Sequence, residues 1–353
     1  MTLQFEHESH AQRVVFTHGG AAAALAREVD RLAGRRVMVI AGEATAAMAE
    51  QVSAGLPVAV YHHEVAMHVP VPVADRARAM AAKHDVDLLV SFGGGSTTGL
   101  AKAIALTTGL PIVAVPTTYA GSEATWVWGV TDHGVKTTGR DVAVLPRCVI
   151  YDAELTVSLP LELSVASGLN ALAHCVDSMW SPNSDPIDRA MAEEAIRAMA
   201  LGLPRVVDDP EDLSGREQAL YAAYLAAAAF SCAGSGLHHK ICHVLGGRYD
   251  LPHAQTHAIV LPYVLALNAP YCEEAEVRVA RAFGAATAVE GLRAFRERVR
   301  APRALRDHGL TEDNIADAAR AVAAAVPKDN PAPVTTDDLE RMLRAAWAGT
   351  EPR

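Results

Sequence analysis

The first 150 residues alternate short apolar runs with segments of helical spacing, and this alternation limits the possible folds more than any other feature. Five runs are short and mostly Val, Ile and Leu, which is typical of buried strands. They are Val37–Ile40, Val58–Tyr61, Leu88–Phe92, Ile112–Val115 and Val149–Tyr151. Between them, Ala74–Lys83 and Leu100–Leu106 have helical spacing. Strands that alternate with helices form a mostly parallel sheet covered on both faces, so we predict an α/β domain here.

The pattern changes after Leu159 and Pro160. From there to the end, segments rich in Ala, Leu, Glu and Arg have helical spacing, and none alternates in the way that a strand does. The 353 residues of the chain also exceed what one ordinary core holds. We therefore predict an α/β domain at residues 1–158, followed by an all-helical domain at residues 159–353.

Composition excludes several kinds of partner. The net charge is −10 and there is no basic block, which argues against a nucleic acid, whose phosphates require clustered Lys and Arg. The five cysteines are scattered without CxxC spacing, and no signal peptide is visible, so we expect a cytoplasmic protein. The uncharged run Leu220–Leu237 is almost long enough to span a membrane. Its Ala, Gly and Ser are only weakly apolar, so we predict a core helix and no membrane partner.

Three glycines follow the third predicted strand directly. Gly93, Gly94 and Gly95 lead through Ser96 into the helical segment. Glycine lets backbone N–H groups approach a phosphate closely, and a helix start favours negative charge. The alternative is a plain tight turn between a strand and a helix. The run is neither the G-x-G-x-x-G fingerprint nor a Walker loop, but it favours a phosphate site.

Two helical segments of the second domain carry polar side chains four residues apart. Asn170 and His174 share one face of the first segment, and His239 and His243 share one face of the second. His253 follows a proline turn. In a chain with 15 histidines a single pair is often chance, but two pairs and a fifth residue together indicate a common site.

Two further features accompany these histidines. Asp177 lies one turn beyond His174, where it either orients that ring or lies on the helix surface. The pair Gly246–Gly247 predicts the end of the second helical segment.

The glycine run and the next strand resemble the iron-containing alcohol dehydrogenase superfamily. Residues 93–96 resemble its GGGS loop, which cradles the dinucleotide pyrophosphate, and Pro116–Glu123 resembles its P-T-T segment followed by G-S-E. The resemblance implies an NADH or NADPH site formed by Gly93, Gly94, Gly95, Ser96, Thr117, Thr118, Tyr119, Ser122 and Lys136. Gly99 stands where the family often has an acid, and Glu43 is the one candidate acid for the ribose, so the choice of nucleotide stays open.

The histidines match the superfamily's D-x-x-x-H and H-x-x-x-H-x9-H pattern, in which Asp and three His bind a divalent metal. Carried over, the metal set is Asn170, His174, His239 and His253, while His243 matches an active-site histidine that is not a ligand. Asn170 replaces the anionic ligand, so this set should hold Fe(II) or Zn(II) less well. We expect a degenerate site that needs no metal. The alternative, a retained metal despite the replacement, stays open.

Within the superfamily, the N-A-x-x-H segment at Asn170 and GGGSTTGLAKAIAL at residues 93–106 resemble the maleylacetate reductases. This resemblance covers nearly the full chain and weakens after Arg281. It implies a cytoplasmic homodimer that reduces the conjugated C=C bond of maleylacetate, a small dianion, to 3-oxoadipate in the catabolism of aromatic compounds. His243 and His253 would act as donor or acid near the substrate. The polar floor would be formed by Asn170, His174 and His239.

Three other functions compete with this hypothesis. One is a metal-dependent alcohol or polyol dehydrogenase, which activity with Fe(II) or Zn(II) and simple alcohols would reveal. Another is a carbon–oxygen lyase similar to dehydroquinate synthase, which would consume no net NAD(P)H. The third is a nucleotide sensor without catalysis. Candidate partners for the substrate carboxylates are Lys240, Arg248 and Arg140.

Overall fold

The structure is a computed structural model that describes residues 3–133 and 135–352. Their contacts divide the chain into two compact units. The parallel-sheet unit is Ser9–Leu159, and the helical unit is residues 160–352 together with residues 3–8. The sequence prediction divides the chain at residues 158 and 159 and leaves the N-terminal residues with the α/β domain. The predicted fold class, an α/β domain followed by a helical domain, is confirmed.

The parallel-sheet unit contains one six-stranded sheet and one hairpin. The strands are β1 (Arg13–Thr17), β2 (Val37–Ile40), β3 (Val58–His62), β4 (Leu88–Gly93), β5 (Ile112–Pro116), β6 (Val127–Asp132), β7 (Val135–Arg140) and β8 (Cys148–Asp152). The sheet has the order β1-β8-β5-β4-β2-β3 and all of its pairs are parallel. The strands β6 and β7 form the antiparallel hairpin. All five predicted strands are present, whereas β1 and the hairpin were not predicted.

Helices cover both faces of the six-stranded sheet. They are α1 (Ala21–Arg31), α2 (Ala46–Ser53), α3 (Val71–Lys83) and α4 (Gly95–Thr108). In β2, Val37 and Val39 face a buried cluster that includes residues of α1 and α2. Met38 and Ile40 face a second cluster, which includes residues of α3 and α4. A strand buried on both faces is apolar at nearly every position, which explains why such strands could be recognised as runs that are mostly Val, Ile and Leu.

The strand order reverses between β2 and β4. The chain goes from β2 outward to the edge strand β3 and then returns to the other side of β2, where β4 pairs with it from Val37–Leu88 to Ile40–Ser91. At such a reversal, the loops at the carboxyl ends of the two strands diverge and leave a crevice in which open α/β sheets bind ligands. The loop that leaves β4 is the glycine run, Gly93–Gly95.

The helical unit contains nine α-helices in its described residues, and no strand among them. The helices are α5 (Leu161–Trp180), α6 (Pro186–Asp208), α7 (Leu213–Ala233), α8 (Leu237–Tyr249), α9 (His253–Asn268), α10 (Glu273–Phe283), α11 (Ala288–Arg298), α12 (Ile315–Ala323) and α13 (Thr336–Ala348). Helix α5 is buried along almost its whole length. It packs against α6, α7 and α9, so it forms the centre of the unit.

The apolar run Leu220–Leu237 belongs to two helices. Most of it is the buried second half of α7, as predicted, and its last residue begins α8 after a bend of 99°. In the described part of the chain, no single helix is long and apolar enough to cross a membrane, although α7 and α8 together meet that criterion by length and composition.

The predicted helix end at Gly246–Gly247 is wrong. Helix α8 continues to Tyr249 and ends at Asp250, whose φ is 52°. A glycine inside a helix costs only about 1 kcal/mol relative to alanine, so it does not by itself end a helix. Burial of Leu245 and Gly246 favours the continued helix.

Close packing of α6 against α7 predicts that Gly202→Ala destabilises the protein. A Cβ atom at Gly202 would lie 2.6 Å from the Gly215 carbonyl oxygen and 2.9 Å from the Ala219 nitrogen, both backbone atoms that cannot move alone. We expect a loss of about 1–3 kcal/mol, as for other overpacked sites. The matched control is Gly247→Ala, where an added Cβ meets no atom within 4 Å. Thermal unfolding should show a lower Tm for Gly202→Ala and an equal or higher Tm for the control; equal losses in both variants would contradict the packing argument.

Candidate functional site

The glycine run joins β4 to α4 in a conformation that depends on small residues. Gly93 is the last residue of β4 and has a φ of 147°, and Gly94 precedes the first residue of α4. A Cβ atom on Gly93 would lie 2.6 Å from Thr97 Oγ1, and one on Gly94 would lie 3.0 Å from Thr118 Cγ2. The N–H groups of the first helical turn have no partner within the helix. They are therefore available to a phosphate, as the sequence predicts.

The segment after β5 lies against this loop. The Thr117 N–H donates to the Gly93 carbonyl oxygen at 3.1 Å, so the two loops are joined directly. Thr118 Oγ1 accepts from the Ala120 N–H at 3.3 Å, and Gly121 turns the chain with a φ of 79° into a short 3-10 helix that begins at Ser122. The structure therefore brings the glycine run together with Thr117 and Thr118, which follow β5.

Two further predicted cofactor residues have different surroundings. The Tyr119 side chain is fully buried. Lys136 lies on β7, partly buried, and its Cε would be 3.4 Å from a Cβ placed on Gly129 of the neighbouring strand. Burial lowers the pKa of the Lys136 ammonium group. Glu43, the candidate acid for the ribose, is exposed at the carboxyl end of β2.

Gly99, where the family often has an acid, is packed against Val69. A Cβ atom at this position would lie 2.9 Å from Val69 Cγ2. Val69 has a φ of 49°, which is uncommon for a β-branched residue, so its position is fixed by its surroundings. An acidic side chain at position 99 would require Val69 to move.

A buried lysine that the sequence analysis missed holds these loops together. Lys102 of α4 is 1% exposed, and its Nζ lies within 2.9 Å of four oxygens, which belong to Ser122, Thr125 and Val127. Burial lowers the pKa of Lys102 to about 7, and the nearby Glu123 carboxyl group acts in the opposite direction. The available sequence signal was a lysine in the otherwise apolar run Leu100–Leu106.

The four predicted histidines lie in one cluster of the helical unit. His174 of α5 stacks on His239 of α8, with ring centroids 5.0 Å apart and planes 11° apart. His243, one turn along α8, has its ring 6.1 Å from that of His239. His253 begins α9, and His257, four residues later, contacts both His253 at 4.3 Å and His239 at 4.8 Å between ring centroids. His257 thus connects the predicted residues, although the sequence analysis did not select it.

Asn170 lies one turn before His174 on α5, and both side chains are buried. Burial lowers the pKa of His174 to about 4 and that of His239 well below its usual value, so both rings alone favour the neutral form. Among the described residues, His174 Nδ1 and His239 Nε2 have no hydrogen-bond partner. A buried polar atom usually has one, so these two nitrogens are candidates for binding a ligand.

Asp177 orients His239, and both predicted roles for it are wrong. Its Oδ2 accepts from His239 Nδ1 at 2.6 Å and from the backbone N–H groups of Gly236 at 2.9 Å and His239 at 3.2 Å. Its side chain is fully buried rather than on the helix surface. Spacing along α5 indicates which residues share a face of that helix, but it does not show which side chain of α8 packs against that face. A Cβ on Gly236 would lie 2.6 Å from Asp177 Oδ1, so this contact requires glycine there.

The bond from His239 Nδ1 to Asp177 determines what the other ring nitrogen can do. In the neutral ring Nε2 carries a lone pair, and in the protonated ring it carries a proton that it can donate. Burial raises the pKa of the Asp177 carboxyl group to about 7, while the backbone N–H groups act in the opposite direction. A carboxylate bound to one nitrogen of a histidine is found both at metal sites and at acid–base sites.

Two buried histidines extend the cluster beyond the prediction. His238 Nε2 lies 2.9 Å from His257 Nδ1, and Cys242 Sγ lies 3.6 Å from His238 Nε2. The spacing of His253 and His257, four residues apart, was a signal for the second of these residues. His238 gave no periodic signal, because it lies on a different face of α8 from His239.

The residues do not fit the family's metal as a preformed ligand set. In the described residues, two groups of three His, Cys, Asp or Glu side chains have ligand atoms within 4.8 Å of one another. These groups are His238, Cys242 and His257, and His7, Asp188 and Cys232. Neither is the set predicted from the sequence. Asn170 also leaves that set with no anionic donor, so it lacks the charge that the family's aspartate contributes to metal binding.

The candidate partners of the substrate carboxylates differ in their surroundings. Arg248 Nε pairs with Asp317 Oδ2 of α12 at 2.7 Å and is half-exposed. The Arg140 guanidinium lies 5.7 Å from the centre of the Trp126 ring, in the parallel-sheet unit. Lys240 is partly buried on α8, next to His239 in sequence.

Comparison with known proteins places both units in one family. Residues 11–153 match the family of iron-containing alcohol dehydrogenases, and residues 164–347 match the C-terminal domain of the same family. The chain is 44% identical to a maleylacetate reductase of Sphingobium indicum, with 99% of each chain covered. The crystal structure of an iron-containing alcohol dehydrogenase of Corynebacterium glutamicum is similar with a TM-score of 0.97 and 57% identity, over 100% of this chain and 99% of that chain. The crystal structure of a maleylacetate reductase of Agrobacterium tumefaciens is similar with a TM-score of 0.93 and 40% identity, over 99% of this chain and 100% of that chain. The resemblance predicted from the motifs is confirmed, and the chain belongs to the iron-containing alcohol dehydrogenase family of NAD(P)-dependent oxidoreductases.

Proposed function

We propose that this enzyme reduces the conjugated C=C bond of maleylacetate with NADH or NADPH, giving 3-oxoadipate in the breakdown of aromatic compounds. Several relatives that are 41–46% identical over nearly the full chain are maleylacetate reductases. One observation in the structure carries the proposal. The amide Asn170 stands in the buried histidine cluster at the position of the family's anionic ligand, and the nearby carboxylate of Asp177 is bound by three N–H groups. Such a cluster suits a substrate with two negative charges, which a second carboxylate would repel.

The chemistry of this substrate suits hydrogen-bond donors. Hydride from the nicotinamide adds to the carbon β to the ketone, and the electron pair of the C=C bond moves toward the carbonyl oxygen as an enolate. A proton then adds to the α carbon, which leaves a saturated ketone and oxidised nicotinamide. An alcohol dehydrogenase must instead stabilise a full alkoxide, for which a metal ion is well suited. An enolate shares its charge between oxygen and carbon, and preorganised N–H donors can stabilise it.

The proposed roles of the cluster residues combine the family resemblance with the contacts of Asn170, Asp177 and His239. His243 and His253 are the proposed donor or acid for the substrate. His174 and His239 form the polar floor together with Asn170, whose amide N–H groups can donate to an enolate or a carboxylate where an aspartate could not. Asp177 holds the ring of His239 and favours its protonated form.

We propose that the reaction requires no metal. The neutral donor set and the spacing of its ligand atoms support this. A metal-dependent alcohol or polyol dehydrogenase is the second candidate, because the two buried nitrogens without hydrogen-bond partners, His174 Nδ1 and His239 Nε2, could also bind a metal. The homodimer and the cytoplasmic location remain predictions from the resemblance.

The first test is NADH and NADPH oxidation with maleylacetate, using protein treated with a chelator and verified to be free of metal. We expect rapid consumption with at least one nucleotide and no increase after Fe(II) or Zn(II) is added. Activity that appears only with metal would disprove the metal-free reaction but keep the substrate. Turnover of simple alcohols with metal, and none with maleylacetate, would favour the second candidate.

Asn170→Asp tests the charge argument directly. The new carboxylate would repel the dianionic substrate, so we expect a KM for maleylacetate at least about tenfold higher, which corresponds to roughly 1.4 kcal/mol of lost binding. The same variant should bind Zn(II) more tightly, because it regains an anionic ligand. Asn170→Ala is the control, since it removes the amide without adding charge. A KM in Asn170→Asp no higher than in Asn170→Ala would show that charge at this position does not matter.

Asp177→Asn tests the orientation and protonation of His239. An amide can still accept from His239 Nδ1, but it carries no negative charge to stabilise the protonated ring. We expect kcat to fall by roughly 10–100-fold, the usual effect of removing a carboxylate behind a functional histidine, with a smaller change in KM. Ser178→Ala is the matched control, because Ser178 is the next residue of α5, is equally buried, and its hydroxyl donates to the His174 carbonyl rather than to a histidine ring. Steady-state kinetics that show equal losses in both variants would reduce Asp177 to a general packing role.

A further inference from the structure

Three side chains of the helical unit converge beside the first turn of α6. His7 belongs to the N-terminal residues, Asp188 lies in the first turn of α6, and Cys232 lies in the last turn of α7. Each offers one atom that can bind a metal, and the three atoms lie within 4.8 Å of one another. Imidazole nitrogen, carboxylate oxygen and thiolate sulfur are the donor types that Zn²⁺ binds in proteins.

Asp188 provides a second, independent indication of a ligand. Its side chain is fully buried, and neither carboxylate oxygen has a hydrogen-bond partner among the described residues. Its Oδ1 lies 3.9 Å from His7 Nδ1, which is beyond hydrogen-bond range. A buried ionised carboxylate without hydrogen bonds is strongly unfavourable unless a cation compensates it or it takes up a proton.

The neighbouring Asp185 is a second carboxylate and cannot compensate the charge of Asp188, but it hydrogen-bonds to the ring of His7. Its Oδ1 accepts from the N–H groups of Ile187 and Asp188 and so caps α6, while its Oδ2 lies 2.7 Å from His7 Nδ1. A histidine that binds a metal through one ring nitrogen commonly hydrogen-bonds to a carboxylate through the other. The His7 side chain is 15% exposed, so an ion can enter from solvent.

Cys232 completes the group from α7. Its thiol lies 3.3 Å from the Glu8 carbonyl oxygen, so the residue after His7 is also held at the end of α7. Cys232 is partly exposed. On binding a metal the thiol would lose its proton, since the thiolate is the ligand form.

We propose that His7, Asp188 and Cys232 bind a divalent transition metal, with Zn²⁺ as the best match, and thereby fasten the N-terminal residues to α6 and α7. The carboxylate and the thiolate together supply two negative charges, which balance the ion. Three protein ligands leave one position of a tetrahedral ion for water. The second group, His238, Cys242 and His257, offers no carboxylate, and two of its ring nitrogens already bond to each other. This proposal does not depend on the reaction proposed for the histidine cluster.

Cobalt binding to the full chain tests the site, with Co²⁺ as a spectroscopic substitute for Zn²⁺. Bound to a thiolate, Co²⁺ gives a sulfur-to-metal charge-transfer band in the near ultraviolet. We expect the chelator-treated protein to develop this band, Cys232→Ser to lose it and Cys242→Ser to keep it. Absence of the band in the unmodified protein, its persistence in Cys232→Ser or its loss in Cys242→Ser would each overturn the proposal.

A competition titration with Zn²⁺ and a chromophoric chelator tests the other two ligands. His7→Gln and Asp188→Asn should each weaken Zn²⁺ binding by at least about tenfold, since even the outer partners of metal ligands contribute 10–100-fold. Asp188 is buried, so its variant requires a circular dichroism spectrum and a Tm to show that it folds. His7→Gln lies outside the helices and keeps the proposal testable if Asp188→Asn does not fold. Unchanged Zn²⁺ affinity in His7→Gln would contradict the assigned ligand set.

Discussion

The buried carboxylate of Asp177 is the contact on which the helical site depends. It lies on α5, but its hydrogen bonds go to the first turn of α8, so one group sets both where α8 begins and how His239 is oriented. A buried carboxylate is stable only when N–H groups compensate the water that it loses, and three do so here. Gly236 leaves room for it. Asp177 therefore caps the start of α8, whose first N–H groups have no partner within the helix.

Lys102 has a corresponding role in the parallel-sheet unit, where one buried side chain fixes the conformation of a loop. The segment after β5 has little regular structure, yet its carbonyls at Ser122, Thr125 and Val127 all point at one ammonium group that belongs to α4. The helix that begins at the glycine run thus also fixes the neighbouring loop. In each unit, one buried ionisable side chain makes most of its hydrogen bonds with backbone groups of a loop or of a helix start. The buried group would lose these hydrogen bonds if the backbone around it took another conformation. It therefore favours the one conformation in which the bonds form.

The sequence predicted the strands that consist almost entirely of apolar residues. Strands β2, β4 and β5 are buried on both faces and are therefore almost entirely apolar. Strand β1 exposes part of its surface, with Phe16 45% exposed, and has only three consecutive apolar residues between Arg13 and Thr17. The same distinction applies to the site. Spacing of four residues identified His174, His239 and His243, because periodicity within a helix is local. The partner of Asp177 and the role of His238 depend on which faces of α5, α8 and α9 meet, and a single sequence does not contain that information.

Asp177 and His239 bond to each other, so the charges of the two groups must be considered together. Burial disfavours an ionised Asp177 alone and a protonated His239 alone, but the pair is neutral overall when it holds one proton, wherever that proton lies. If that proton were lost, the pair would carry a net negative charge in a buried site. That charge would repel a dianionic substrate, so the proposed reaction leaves this proton in place and uses His243 and His253 as the donor or acid. A carboxylate at position 170 would add a second negative charge to the same cluster, and the amide of Asn170 avoids it.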